Sequence, residues 1–132
     1  MKNKIIKYFF IIFFLPLITK AFSNDDFIIE SNTIEYKENN NVIIATGNVK
    51  ITSKDNVKIS ADQSEYIKLT NELFLNGNVE IIDQDKEIRI QSEKVRYYKN
   101  KELIQSIGTT NIDFGNNYTI DTTDLDYLRL KN

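Results

Sequence analysis

The sequence predicts an all-β protein, an antiparallel β-jellyroll or flattened solenoid of about seven long strands with mid-strand corners and open edge strands. Three observations predict it. A tyrosine-ended heptad occurs four times, as ESNTIEY, SADQSEY, QSEKVRY and DTTDLDY, and sets Tyr36, Tyr66, Tyr97 and Tyr127 at steps of 30, 31 and 30 residues. Apolar and polar residues alternate between these marks, the period of a half-buried strand. Short breaks rich in Asn, Asp, Gly or Lys separate the alternating runs, as tight antiparallel connections require. A fixed period of this length means one supersecondary unit used repeatedly.

Residues 1–23 read as a signal peptide. Lys2, Lys4 and Lys7 form a positive start, and Tyr8 to Ile18 is an apolar run of 11 residues broken only by Pro16. Ala21-Phe22-Ser23 then offers small residues around a cut after Ser23. A spanning helix needs roughly 20 apolar residues, so cleavage is favoured over an uncleaved anchor. No cysteine follows the run, which excludes lipoprotein attachment.

Residues 24–132 form one expected domain. Its strands are expected over 27–37, 42–52, 57–68, 72–82, 87–99, 103–114 and 118–130, divided by KENNN, SKDN, LTN, DQDK, NKE and GNN. Val57, Ile59 and Ala61 share one face against Lys58, Ser60 and Asp62. Leu73, Leu75, Gly77, Val79 and Ile81 repeat the pattern, as do Ile88 with Ile90, Ile112 with Phe114, and Tyr118 with Ile120. One apolar and one wet face suit an antiparallel sheet that covers a single core.

The heptads also predict corners. Ile59 and Tyr66 are seven apart, as are Ile90 and Tyr97, and Ile120 and Tyr127. Strict alternation would place each pair on opposite faces, so a bulge or corner must reset the register between them. Ala61, Ser92 and Thr122 follow the isoleucines as corner residues. Gly47, Gly77 and Gly108, also one period apart, are their counterparts on the neighbouring strands. Folding the hairpins sets Gly47 opposite Ala61 or Asp62, and Gly77 opposite Ser92. Strands of about 11 residues, near twice the common length, that bend at mid-strand make two stacked sheets from the same strands.

Composition narrows the function. The chain has no histidine and no cysteine, which removes the commonest general base and the usual soft metal ligands. From Asn24 on, 13 Lys+Arg stand against 19 Asp+Glu. That balance argues against a nucleic-acid partner, which needs a basic stripe. Asp121, Asp124 and Asp126 lie in an expected strand and lack the turn of a calcium loop. Asp62, Glu65 and Glu93 occupy polar strand positions where carboxylates are ordinarily solvated. The reading is therefore a non-enzyme without cofactor or metal.

ATGNVKI at 45–51, followed by ISADQSEY at 59–66, is echoed by LNGNVEI at 75–81 and IRIQSEKVRY at 88–97. These segments resemble the OstA-like, or LptA-like, family. That family includes the periplasmic lipopolysaccharide-transport bridge protein and the N-terminal domain of the outer-membrane lipopolysaccharide-assembly protein. The resemblance covers roughly residues 27–130. The third copy departs from it, with Thr109-Thr110 after Gly108 where Asn-Val stands elsewhere. After Tyr127 only LRLKN follows, so the domain is expected to be incomplete at its C-terminus.

The resemblance implies a jellyroll open along one side, with lipopolysaccharide acyl chains as partner in an apolar trough. It also implies union with other lipopolysaccharide-transport proteins through edge strands, possible head-to-tail self-association, and a periplasmic location, outer-membrane associated in the case of the assembly protein. Val49, Ile51, Val57, Ile59, Leu75, Val79, Ile81, Ile88, Ile90, Ile112, Phe114 and Ile120 are the expected trough. Burial of one methylene is worth about 0.8 kcal/mol, so ten sheltered groups gain roughly 8 kcal/mol before ordering costs. Lys58, Arg89, Lys94 and Arg96 are the cations expected to meet phosphates, and the tyrosines are expected as half-buried corner residues with wet hydroxyls. The alternative is a structural β-solenoid, a scaffold or adhesin-type repeat, without lipid.

Overall fold

Nine strands follow one another among the described residues. They are β1 (Lys20–Ser23), β2 (Phe27–Ser31), β3 (Thr33–Lys37), β4 (Val42–Ser53), β5 (Val57–Ile67), β6 (Glu72–Asp83), β7 (Ile88–Tyr98), β8 (Leu103–Phe114) and β9 (Tyr118–Leu128). The structure is a computed structural model and describes residues 20–23, 26–115 and 117–130. The expected signal peptide lies outside these residues except for Lys20–Ser23, which pairs antiparallel with β2.

All nine strands belong to one antiparallel sheet in the order β1-β2-β4-β5-β6-β7-β8-β9, with β3 also on β4. From β3 on, short polar turns set each strand beside the one before it. The long first strand expected over 27–37 is interrupted at Asn32, so β2 and β3 together make one of seven long strands. The strand ends fall within two residues of those expected. Lys99 opens a single 3-10 turn, Lys99–Lys101, and Arg129 leaves β9 to bind buried carboxylates.

Register breaks line up across the sheet. They fall between Thr46 and Val49, Ser60 and Gln63, Asn76 and Val79, Ser92 and Lys94, and Ile107 and Thr110. The even strands β4 and β6 carry two left-handed residues there, Gly47 (φ 77) then Asn48 (φ 48), and Gly77 (φ 80) then Asn78 (φ 45). Glycine adopts this region freely and asparagine is the side chain that tolerates it best. The odd strands spend one residue fewer, so their alternation flips, which is why Ile59 and Tyr66 both face inward. The bulge Gly77-Asn78 is opposed by Glu93 rather than Ser92, since Val79 pairs Ser92 and Asn76 pairs Lys94.

The third copy diverges for a packing reason. Gly108 (φ 87) is followed by Thr109, which is not left-handed. Thr110 sits where Val49 and Val79 sit elsewhere, and its buried hydroxyl bonds Ser106 (2.6 Å) and Ser92 (3.2 Å). A threonine at this inward position is admissible because two serines share its polarity.

The line of breaks folds the sheet back on itself. Asp55, before β5, and Lys99, after β7, stand at opposite ends of strands about 11 residues long. Straight strands would hold them about 35 Å apart, yet their side chains are ion-paired. Phe27 at the start of β2 likewise meets the rings of Tyr66 (5.2 Å) and Tyr97 (5.9 Å), both near strand ends. The two half-sheets enclose one core, in which Ile29, Ile43, Ile51, Leu73, Ile81, Ile90 and Ile104 are at most 1% exposed. The result is a flattened jellyroll-like sheet with a corner line on one side and a seam on the other.

Candidate functional site

The interior is the first candidate surface. Of the expected trough residues, Val49, Ile51, Val57, Ile59, Leu75, Val79, Ile81, Ile90 and Ile112 are buried within the chain's own core. Ile88 and Phe114 are partly buried against it, and Ile120 is 43% exposed. The gradient follows topology. Inward residues of β4 to β7 are covered by strands on both sides, whereas β9 has a neighbour on one side only among the described residues. Its inward Leu125 and Tyr127 are half-covered, and Phe114 stacks on Tyr118 at 4.9 Å. The β9 end is thus an apolar mouth with an open strand edge. At the other end, β1 covers β2, and the outer edge of β3 is open among the described residues.

The seam is the second candidate surface, and the sequence reading missed it. Five ionic side chains meet there. Arg129 reaches the Asp83 carboxylate (2.6 Å) through Nε and Glu102 (2.7 Å) through Nη1, and donates from Nη2 to the Asp55 carbonyl (3.2 Å). Lys99 Nζ donates to both Asp55 and Glu102. Lys99, Glu102, Arg129 and Asp83 are all buried, and charges so placed must be paired to persist. One signal could have found them. Lys99 and Arg129 stand two residues beyond Tyr97 and Tyr127, and Asp83 two beyond Ile81, which is inward parity in a strand.

The network holds its members ionised. Burial alone would disfavour the Lys99 ammonium, but the hydrogen bonds it donates to Asp55 and Glu102 outweigh it and keep it charged beyond the ordinary lysine range. Burial likewise opposes the Glu102 carboxylate, yet bonds to Lys99, Tyr97 and Arg129 hold its pKa below the usual 4.5. Burial pushes the Tyr97 phenol up to about 12, and burial with the Asp83 charge does the same for Tyr127.

The tyrosines are not corner residues with wet hydroxyls. The corner takes the first residues of each heptad, and the tyrosine lies at the strand's far end, by the seam. Tyr66 and Tyr97 are fully buried. Their hydroxyls bond Asn71 Oδ1 (2.8 Å) and Glu102 Oε2 (3.0 Å), while Tyr127 donates to Asp83 (3.3 Å). Tyr36, in the outermost strand, is 45% exposed.

The corner residues expected from the sequence lie along the line of register breaks. Val49 pairs Ala61, and Ser92 and Thr122 both pair Thr110, as the last partners before each shift. A Cβ on Gly77 would stand 2.4 Å from Asp62 Oδ2 and one on Gly47 2.8 Å from Asn32 Nδ2, while Gly108 has open space around it. Four of the acidic residues, Asp62, Asp121, Asp124 and Asp126, bind across strands. Asp62 accepts from the Asn78 amide (2.9 Å), Asp121 from Asn111 (2.7 Å), Asp124 from the Gly108 N–H (2.8 Å) and Asp126 from Gln105 (2.9 Å). Lys58, Arg89, Lys94 and Arg96 are exposed on the outer face. Arg89 lies 3.8 Å from Glu80 and Arg96 sits over the Phe74 ring, away from both mouth and seam.

A sheet folded on a line of corners, filled with aliphatic side chains and ending on a bare apolar strand, has a counterpart among known families. Residues 28–127 match the family described as lipopolysaccharide-assembly, LptC-related. The chain belongs to the LptC-related family. It is therefore a component of lipopolysaccharide assembly, a transport role in the cell envelope rather than an enzymatic one. The match refines the resemblance to the OstA-like family: the transport system is the same, but neither the bridge protein nor the assembly protein is what it identifies. No curated protein matches the chain.

Proposed function

We propose that this LptC-related chain carries lipopolysaccharide in the periplasm by sheltering acyl chains between its two half-sheets. It joins neighbouring transport proteins, or further copies of itself, by strand addition at the open edges of β9 and β3. The observation that carries this reading is the mouth at β9, where Leu125 and Tyr127 pack against the core, Ile120 is 43% exposed opposite Ile112, and no strand among the described residues covers them. An unpaired edge offers a row of N–H and C=O groups to an incoming strand. Apolar residues flanking it supply an acyl chain with about 0.8 kcal/mol per buried methylene.

The purified chain is expected to bind lipid A, with increased amide protection in β8 and β9. Ile120→Asp places a charge in the mouth at an exposed position, so the fold survives and lipid A binding falls at least tenfold. Unchanged binding by this variant would sink the reading. A structural repeat without lipid is the second reading, favoured by how tightly β4 to β7 pack. It is distinguished by self-assembly that is indifferent to lipid A.

A further inference from the structure

We propose that the seam is a side portal: its two lips part to admit acyl chains laterally, and Asp55, Asp83, Lys99, Glu102 and Arg129 form the latch that keeps it shut. This rests on the acyl-chain reading above. The interior residues of β4 to β7 are at most a few per cent exposed, so an acyl chain reaches them only if the half-sheets separate.

Among the described residues, the seam is a boundary of the interior that can part without loss of a backbone hydrogen bond. The corner line is continuous chain, and the strands are joined by their ladders. At the seam, the described bonds that cross all involve a side chain: Asn71 to Asp26 (2.8 Å), Tyr127 to Asp83, Lys99 to Asp55, and Arg129 to Asp83 and the Asp55 carbonyl. Each lip, by contrast, is internally tied by backbone bonds. One lip holds Lys54 N–H on Asp26 O, Gln84 on Asn56 and Gly115 on Glu87. The other holds Lys68 on Asn41, Lys99 on Asn71 and Arg129 on Glu102. The lips are thus two rails that move as units.

The chemistry of the latch suits release. Removing one partner of a buried ion pair strands the other charge in a poor solvent, whereas parting the lips returns every ion to water. A latch of charges is therefore secure against deletion and inexpensive to open as a whole. Two grooves of about 490 and 510 Å³ flank Arg129 along the seam. Their lining is mixed, with Lys54, Lys86 and Lys101 beside Asp26 and Asp85, and the three lysines offer the phosphates of a lipid head group a place outside the lips.

The chain has no cysteine, so label pairs can be placed at will. Spin labels on Asp85→Cys and Asn100→Cys report the distance between the lips without touching the latch. In the absence of lipid, Arg129→Gln and, as a milder second variant, Lys99→Gln are expected to lengthen and broaden that distance while amide protection in β4 to β7 persists. An unchanged distance in both variants overturns the latch. A cleavable cross-link between Asp26→Cys and Asn71→Cys is expected to cut lipid A uptake at least tenfold, and cleavage to restore it. Full uptake by the cross-linked chain overturns the portal and leaves the β9 mouth as the route. Failure of the chain without cross-link to take up lipid A refutes the acyl-chain reading instead, and the label distances still judge the latch.

Discussion

The corner line and the seam close the same interior from opposite sides by different means. At the corner, closure is a matter of backbone: left-handed Gly-Asn pairs in even strands and a flipped alternation in odd ones, repeated at each period. At the seam, closure is a matter of side-chain identity. A basic residue recurs two beyond the tyrosine, at Lys68, Lys99 and Arg129, but the acids of the buried network, Asp83 and Glu102, stand where the preceding period has Ser53 and Asn71. The difference teaches that a repeat protein can encode its bend in backbone conformation and its fastening in the side chains of particular repeats. The bend is then permanent and the fastening is free to be regulated.

Three substitutions and conditions put that contrast at risk. The largest effect is expected from Phe27→Ala, which removes the ring wedged edge-on against Tyr66 and Tyr97. Loss of a buried phenylalanine costs about 3–5 kcal/mol, read as a drop in the denaturation midpoint. A cost below about 1 kcal/mol would mean that the half-sheets do not depend on each other.

Next comes a pair of glycines that separates conformation from contact. Gly108→Ala meets open space and pays only for its left-handed backbone, about 1–2 kcal/mol. Gly77→Ala pays that and also collides with Asp62, adding about 1–3 kcal/mol of overpacking. Equal costs at the two positions would show that the corners are not packed against their neighbours.

The smallest effect is that of acid on the seam. Glu102 has a folded pKa lowered below its usual 4.5, so its contribution is present above that value and is lost as pH falls through the lower, folded one. Lys99 has a raised pKa, so its contribution is full at neutral pH and lost only as pH rises beyond the ordinary lysine range. The seam is therefore expected to be shut at neutrality and to loosen in acid before the corner line does. Amide exchange of Asn71 to Leu73 compared with Val49 to Ile51 checks this, and simultaneous loss at both places would refute it.

Much of the fold was legible because it rests on periodicity. Ile59 and Tyr66, seven apart and both apolar, require a register break between them, and Gly47 and Gly77 supply its counterpart. The tyrosines were misplaced because the heptad was read as a corner throughout, although only its first residues turn. Their hydroxyls go to Asn71 and Glu102, which the sequence shows only as turn residues. Arg129 was passed over for the same reason. Its partners, Asp83 and Asp55, are 46 and 74 residues away along the chain.

The sequence by itself determined the strands, their order, the inward face and the line of corners. These depend on local conformation and on parity, and both are properties of short stretches of chain. Only the tertiary structure decided that the side opposite the corners is closed, and by which charges. Folding at the corners carries strand ends that lie about 35 Å apart in an unbent sheet into contact, and which charges then pair across the seam is a property of no short stretch of chain.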